Sequence, residues 1–453
     1  MSGGMFDYDE AMTELVMEFC RERLSLHPVP LDFGGTIPAL PAELDGLMRA
    51  EGNEAGTVLR LFVDKLATAV VSCDSPRFLS FIPAAPTKAA LLFDMFVSCS
   101  SLHGTSWLEA AGVVVAENQA LRVIADLAGL PPEAGGCFVA GGSAGNLSAL
   151  VVARDTAGHR RGGNAPQRPM VAVSEDAHSS VSKALHVIGV EAFVVPTEGH
   201  RLTGNTLRDA LSAHPRADDV IAVVATAGTT NAGIIDDLAG IAEVARAREL
   251  WFHVDGAYGG AGLFAPSVRE RYAGIEHADS FVVDPHKWLF APFDCAALIY
   301  RKPWLAKAVH TQDASYLDVL HTGDEEWNPT DYAYHLTRRA RGLPLWFSLA
   351  VHGTDAYTEA VETGLALARD TAELIRTDYP ELELVLDPVL SSVVYRRRGW
   401  SAEDYHAWSA RLLADQTGFV TPTGWEGEVV ARFAFLHPGT TLGMVREILD
   451  TMR

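Results

Sequence analysis

Lysine is scarce in this chain: Lys65, Lys88, Lys183, Lys287, Lys302 and Lys307 are all it has. Basic charge is short overall, because 58 Asp and Glu stand against 36 Lys and Arg and leave a formal net charge of -22. The basic footprint that nucleic acid or an anionic membrane surface requires is missing, so any bound anion must be held locally. Cysteine is sparse too. Cys20, Cys73, Cys99, Cys137 and Cys295 are odd in number and lack metal-ligand spacing, which argues against a disulfide framework or a metal centre and for a reducing, cytoplasmic setting. No uncharged apolar run reaches membrane-spanning length, and Met1 to Glu10 has neither a basic nor an apolar leader segment. What the chain does have is material for a large core, with 453 residues of which 48% are hydrophobic. That length suggests two or three folding units.

Taken in order, the chain changes character twice. Tyr8 to Leu24 places apolar residues at helical spacing (Met12, Leu15, Val16, Phe19, Cys20), and its apolar face needs a partner. Ser25 to Pro41 is Pro- and Gly-rich and reads as a linker, and a second helix is predicted over Thr57 to Ser72. From Ser75 the pattern becomes the strand and helix alternation of an open α/β sheet. Helices are predicted at Val113 to Leu127, Asn146 to Thr156, Ser179 to Ile188, Thr206 to Ala213 and Leu238 to Leu250. Apolar strand-like runs fall at Met170 to Val173, Ala192 to Val195, Val220 to Thr226, Trp251 to Val254, Ser280 to Val283 and Cys295 to Tyr300. Gly158 to Gln167 and Asp313 to Thr330 read as polar loops, the second long enough to be functional. A long helix over Leu345 to Ile375 and strands near Leu382 to Leu386, Ser392 to Arg396 and Glu428 to Phe435 complete a C-terminal α+β unit.

The chemistry gathers around Ala278-Asp-Ser-Phe-Val-Val-Asp-Pro-His-Lys-Trp-Leu-Phe290. The run Ser280 to Val283 is a buried strand that Asp284-Pro285 stops, so Lys287 emerges at a strand end. An isolated lysine there would normally snorkel to water. Lys287 is the one lysine with a histidine before it and Trp288, Leu289 and Phe290 after it, and an amine in such company can condense with an aldehyde. Further candidates lie upstream. Ala140-Gly-Gly-Ser-Ala-Gly-Asn146 is a glycine-rich turn opening a helix, able to hold an anion on its amides or to be simply a turn. Asp255, in His253-Val-Asp-Gly-Ala257, sits at the carboxyl end of a strand, where open α/β sheets bind ligands. It could equally cap a helix or form a structural ion pair. Ser174-Glu-Asp-Ala-His178 and Thr226-Ala-Gly-Thr-Thr230 close two more strands on the same rim. Together they compose an anion cradle, a carboxylate, an imidazole, a hydroxyl and an amine, the set that pyridoxal phosphate requires.

At these residues the chain resembles the group II pyridoxal-phosphate decarboxylases of fold type I, the family of aromatic L-amino-acid, glutamate and related decarboxylases. The resemblance is dense from Ser75 to Phe347 and rests on Asp284-Pro-His-Lys-Trp288, the Thr-x-Gly-Thr-Thr run, His-Val-Asp-x-Ala and Phe293-Asp-Cys295. It implies an α/β fold of the fold type I, PLP-dependent transferase-like class. A large domain (74–347) with a mostly parallel seven-stranded sheet flanked by helices would follow an N-terminal helical arm (1–73) and precede a small C-terminal α+β domain (348–453). It implies pyridoxal 5'-phosphate as cofactor, no metal, and a homodimer with active sites at the subunit interface.

Carried over by position, the resemblance makes Lys287 the Schiff-base lysine and Asp255 the partner of the pyridine nitrogen. It stacks His178 on the ring and Ala257 on the opposite face, puts Thr226 near the ring hydroxyl, and surrounds the phosphate with Gly142, Ser143 and His286. The implied reaction is decarboxylation of an L-amino acid through a quinonoid, with an aromatic substrate first. Alternatives are a non-aromatic (acidic, diamino or modified) substrate, an aldehyde synthase or other carbon-carbon lyase on the same cofactor, and a non-catalytic homologue. Tyr332, after the long polar loop, resembles the family's loop acid, with Tyr334 as competitor. Substrate-pocket positions map to Cys73, Phe81, Ile82, Ala84, His103 and Thr105. Asp284 departs from the Asn common in animal members and would repel a phosphate unless turned away or neutralised.

Overall fold

Short apolar runs bounded by turns, most of them rich in β-branched residues, become the strands of a central sheet in the computed structural model, which describes residues 4–32, 40–83, 85–160, 162–163, 165–312 and 326–453. The strands are β1 (Gly135–Val139), β2 (Met170–Ser174), β3 (Glu191–Val195), β4 (Val220–Thr226), β5 (Trp251–Asp255), β6 (Ser280–Val283) and β7 (Ala296–Tyr300). They form one seven-stranded sheet in the order β1-β7-β6-β5-β4-β2-β3. Neighbours from β3 to β6 pair in parallel, and β7 runs antiparallel to β6 and β1. Strand periodicity sends alternate side chains to opposite faces. Met170 and Ala172 join a core with the helices Trp107–Leu127, Gly204–Ala213 and Leu238–Ala247. Val171 and Val173 join another with the helices Gly142–Arg160 and Ser179–Ile188. Helices thus cover both faces, and the α/β arrangement expected from the sequence is the one found.

The parallel register fixes the site. Thr226 pairs with Asp255 and Asp255 with Val282, so the carboxyl ends of the central strands β4, β5 and β6 lie side by side at one end of the sheet. A second, antiparallel sheet comprises β8 (Leu382–Leu384), β9 (Ser392–Arg397), β10 (Thr423–Trp425) and β11 (Glu428–Ala434), in the order β10-β11-β9-β8. It has its own core, including Tyr395, Trp408, Phe433 and Val445. The helix Leu343–Asp378, broken at Gly353 (φ 76°), packs Leu345, Val361 and Leu365 into the first core and Ala368 and Ile375 into that second one.

Some expectations shift. The second N-terminal helix spans Ala55–Leu61 and then changes winding as far as Ala69, short of Ser72. The helix expected from Val113 begins at Trp107, capped by Ser106. The helix Lys88–Cys99, capped by Thr87, and the strands β1 and β10 carried no clear signal in the sequence. Of the long polar loop, residues 313–325 lie outside the described residues, and Pro329–Asp331 forms a buried turn. No helix among the described residues is long and apolar enough to cross a membrane.

Candidate active site

The strand ends open onto a cavity of about 230 Å³. Its walls include Gly142, Ser143, His178, Thr226, Asp255, Ala257, His286 and Lys287, so one chain brings together every cofactor-site residue expected from the sequence. Two clefts of about 720 Å³ lie elsewhere, one past the amino ends of β5 and β6 and one between the N-terminal segment, the helix Leu343–Asp378 and the stretch His437–Gly439. Neither holds the strand-end carboxylate or Lys287.

Asp255 is nearly fully buried, and its carboxylate accepts the Ala257 N–H at 3.1 Å and the Asn146 Nδ2–H at 2.8 Å. His178 caps the helix Ser179–Ile188, its Nδ1 accepting the Ser180 N–H at 3.2 Å. Gly142 opens its helix where a Cβ would fall 2.9 Å from the Ala257 Cβ and 3.1 Å from both Asp284 oxygens, so only glycine lets these two side chains approach the helix start. The Thr226 backbone N–H is held by Asp236 at 2.7 Å, whereas its Oγ1 is buried without a hydrogen-bond partner among the described residues. A buried hydroxyl left unsatisfied is costly, which marks it as waiting for a ligand group.

Lys287 Nζ lies 3.0 Å from Asp284 Oδ2, and His286 Nε2 lies 3.5 Å from the same oxygen. Asp284 thus turns its Oδ2 toward two basic side chains, while its Oδ1 is buried without a hydrogen-bond partner among the described residues. Burial pushes His286 below its ordinary value, with Asp284 opposing. Its Nδ1 accepts the Cys295 N–H at 3.0 Å, so the neutral ring carries its hydrogen on Nε2.

Other expectations are not met within the chain. Tyr332 does not line the cavity: its ring is buried, stacked on Trp327 at 4.2 Å, and burial pushes its pKa well up. The turn Pro329–Asp331 that precedes it is buried as well. Tyr334, by contrast, is exposed. Phe81, Ile82, His103 and Thr105 are likewise absent from the cavity wall, and Ala84 lies outside the described residues. Phe81 is exposed at φ 53°, with its ring 6.2 Å from Phe419.

The cavity also uses residues whose roles the sequence did not announce: Asn146, Asp176, Ser180, Thr229 and Tyr258. Asn146 had a signal, being a polar residue among apolar helix neighbours one turn after the glycine run. Asp176 and Ser180 had none beyond lying beside His178.

The sequence profile of the pyridoxal-dependent decarboxylase conserved domain matches residues 42–398. The chain belongs to that family. Among relatives of this pyridoxal-dependent decarboxylase, an aromatic-L-amino-acid decarboxylase of Bacillus atrophaeus is 28% identical over 411 residues, covering 88% of this chain and 85% of that protein. An L-2,4-diaminobutyrate decarboxylase of Rhizobium meliloti is 31% identical over 395 residues, covering 83% and 77%. A solved structure of Oryza sativa TDC with PLP and tryptamine superposes with a TM-score of 0.90 at 25% identity, covering 99% of this chain and 98% of that one. The decarboxylase is a carboxy-lyase whose cofactor is pyridoxal 5'-phosphate. The cavity fits that group on its own evidence: a glycine-opened helix amino end at Gly142 and Ser143, a strand-end carboxylate, an amine and an unsatisfied hydroxyl at Thr226.

Proposed function

We propose that the enzyme decarboxylates an L-amino acid with Lys287 as the covalent anchor of the cofactor. When bound, pyridoxal phosphate supplies an electron-withdrawing ring that takes up the electron pair left as carbon dioxide departs. The rest falls to side chains. Gly142, Ser143 and the helix amino end would hold the phosphate with His286, and Asp255 would hold the ring-nitrogen proton. Thr226 would meet the ring hydroxyl, and Ala257 and His178 the two ring faces. His178 would also orient the substrate carboxylate. The observation that carries this reading is the convergence of Lys287, Asp255, His178 and the unpartnered Thr226 hydroxyl on one cavity.

For the substrate we favour an aromatic amino acid, in line with the Bacillus relative and with the exposed Phe81. We read Phe81 and Thr105 as serving the site of a second copy in a cytoplasmic homodimer, because the helix Glu10–Ser25 buries no residue against its own chain. The boundaries 1–73, 74–347 and 348–453 remain our division of the chain. We take exposed Tyr334 ahead of Tyr332 as the residue that returns the proton. A diamino acid is the second reading, favoured by the Asp176 carboxylate on the cavity wall and by the Rhizobium relative.

Release of carbon dioxide from a panel of L-amino acids, with products identified by mass, tests the assignment. Amine from tyrosine, tryptophan or dihydroxyphenylalanine supports the first reading, and amine from diaminobutyrate or ornithine the second. Aldehyde with ammonia and peroxide would convert the enzyme to an aldehyde synthase. If borohydride fixes no pyridoxyl group on Lys287, the anchor is wrong.

A further inference from the structure

Building on that cofactor reading, we propose that Asn146 is a positioning residue whose single carboxamide clamps Asp255 directly and His178 through Ser180. Asn146 is 1% exposed, one turn into the helix Gly142–Arg160. Its Nδ2 donates to Asp255 Oδ2 at 2.8 Å and to Ser180 Oγ at 2.9 Å, and its Oδ1 faces His253 Nε2 at 2.9 Å.

The orientation of this amide is forced. Opposite a carboxylate it must present N–H groups, so its oxygen faces His253, and His253 Nε2 must carry a hydrogen. Complete burial pushes the His253 pKa down to about 4, so the ring is neutral at pH 7 and its Nδ1 is an acceptor. That nitrogen receives the Ser280 hydroxyl at 2.8 Å, and Ser280 in turn receives the Trp251 Nε1–H at 2.8 Å. Trp251, Ser280, His253 and Asn146 therefore all donate in one direction, and the chain ends on Asp255. Aligned donors in a buried setting polarise one another.

The second branch sets a tautomer. Ser180 Oγ is occupied as acceptor by Asn146, so its own hydrogen goes to His178 Nδ1 at 2.8 Å. That nitrogen also accepts the Ser180 backbone N–H. In the neutral ring the hydrogen resides on Nε2, which is then the ring's donor toward a substrate carboxylate. One carboxamide on the phosphate-side helix thus couples the group that holds the ring nitrogen to the group that stacks on the ring.

The test uses the full chain, stripped of cofactor and titrated with pyridoxal phosphate, together with nitrogen-15 spectra of labelled histidines. Asn146→Ala should weaken cofactor binding by about 10- to 100-fold and move His178 away from the pure Nε2–H tautomer. Ser180→Ala should disturb His178 and lower kcat while leaving cofactor affinity within about threefold. Asn146→Asp preserves the shape but sets a carboxylate against Asp255. It should bind as weakly as Asn146→Ala at pH 8 and regain affinity toward pH 6, as a shared proton restores the donor. Wild-type affinity in Asn146→Asp at every pH overturns the clamp, and so does an unchanged His178 tautomer in both alanine variants. A wild-type protein in which borohydride fixes nothing on Lys287 instead brings down the cofactor reading on which the clamp rests.

Discussion

Thr226 shows how a single atom can report on a ligand. Its Oγ1 is buried without a partner among the described residues, so the fold bears the desolvation of a hydroxyl with no return from its own chain. Thr226→Val removes that hydroxyl at nearly constant shape in a strand, where valine is favoured. We expect the cofactor-free protein to melt at the same temperature or slightly higher, while the dissociation constant for pyridoxal phosphate rises by about tenfold. Calorimetry and a fluorescence titration check the two halves, and a destabilised variant with unchanged cofactor affinity would show that the hydroxyl serves the fold. At this scale the sequence was readable where chemistry made a residue conspicuous. Lys287 stood out because lysine is rare, and Asp255 because a carboxylate ended an apolar run. Asn146 and Ser180 were not readable as a unit, since their partners come from elements more than a hundred residues apart for Asp255 and His253 and are joined only by folding.

Elements are tied together by a few buried charges. Glu117, on the helix Trp107–Leu127, grips Arg338 through both carboxylate oxygens at 2.7 and 2.8 Å, and also accepts the Gly342 N–H that leads into the helix Leu343–Asp378. Arg338 reaches the Gly104 carbonyl at 2.6 Å, so the pair joins the segment carrying His103 and Thr105 to two helices. Removing one partner of a fully buried pair strands the other charge. Glu117→Ala is therefore expected to cost about 3–5 kcal/mol in denaturant unfolding, and Glu117→Gln less, because it retains one acceptor. The strands were largely legible, with β4 and β6 ending where the apolar runs end, because a buried parallel strand is a continuous apolar run. β1 was not, since its first residues are Gly135 and Gly136. Periodicity also ran through Gly353, where a positive φ breaks the helix.

For the molecule as a whole, pH acts through histidines that folding places in opposite situations. Burial first of all pushes His253 and His335 down to about 4. Folding then binds fewer protons than the unfolded chain, so the stability these rings contribute is present above pH 6.5 and is lost as pH falls toward 4. Unfolding midpoints in urea should drop over that interval, and His253→Asn should flatten the slope. His200 runs the other way. It bridges Asp176 on the cavity wall to Glu426 between β10 and β11, at 3.1 Å to each. Partial burial disfavours its charge, but the hydrogen bonds to Glu426 and Asp176 outweigh that and raise its pKa. Its contribution is therefore full below pH 6.5 and is lost as pH rises through the raised value. We expect His200→Gln to cost stability at pH 6 and little at pH 9. Overall charge was legible throughout, whereas these two signs were not, because each depends on what the fold packs around the ring.

Arg432 gives that architecture a mechanical side. Buried on β11 in the second sheet, it donates to the Thr230 carbonyl on the cavity wall and to the carbonyl of Phe81, which lies off that wall, at 2.7 Å each. A guanidinium is rigid and planar, so the two carbonyls are held at a fixed spacing by a part that cannot bend. The second sheet is therefore pinned to both at once, through one rigid group.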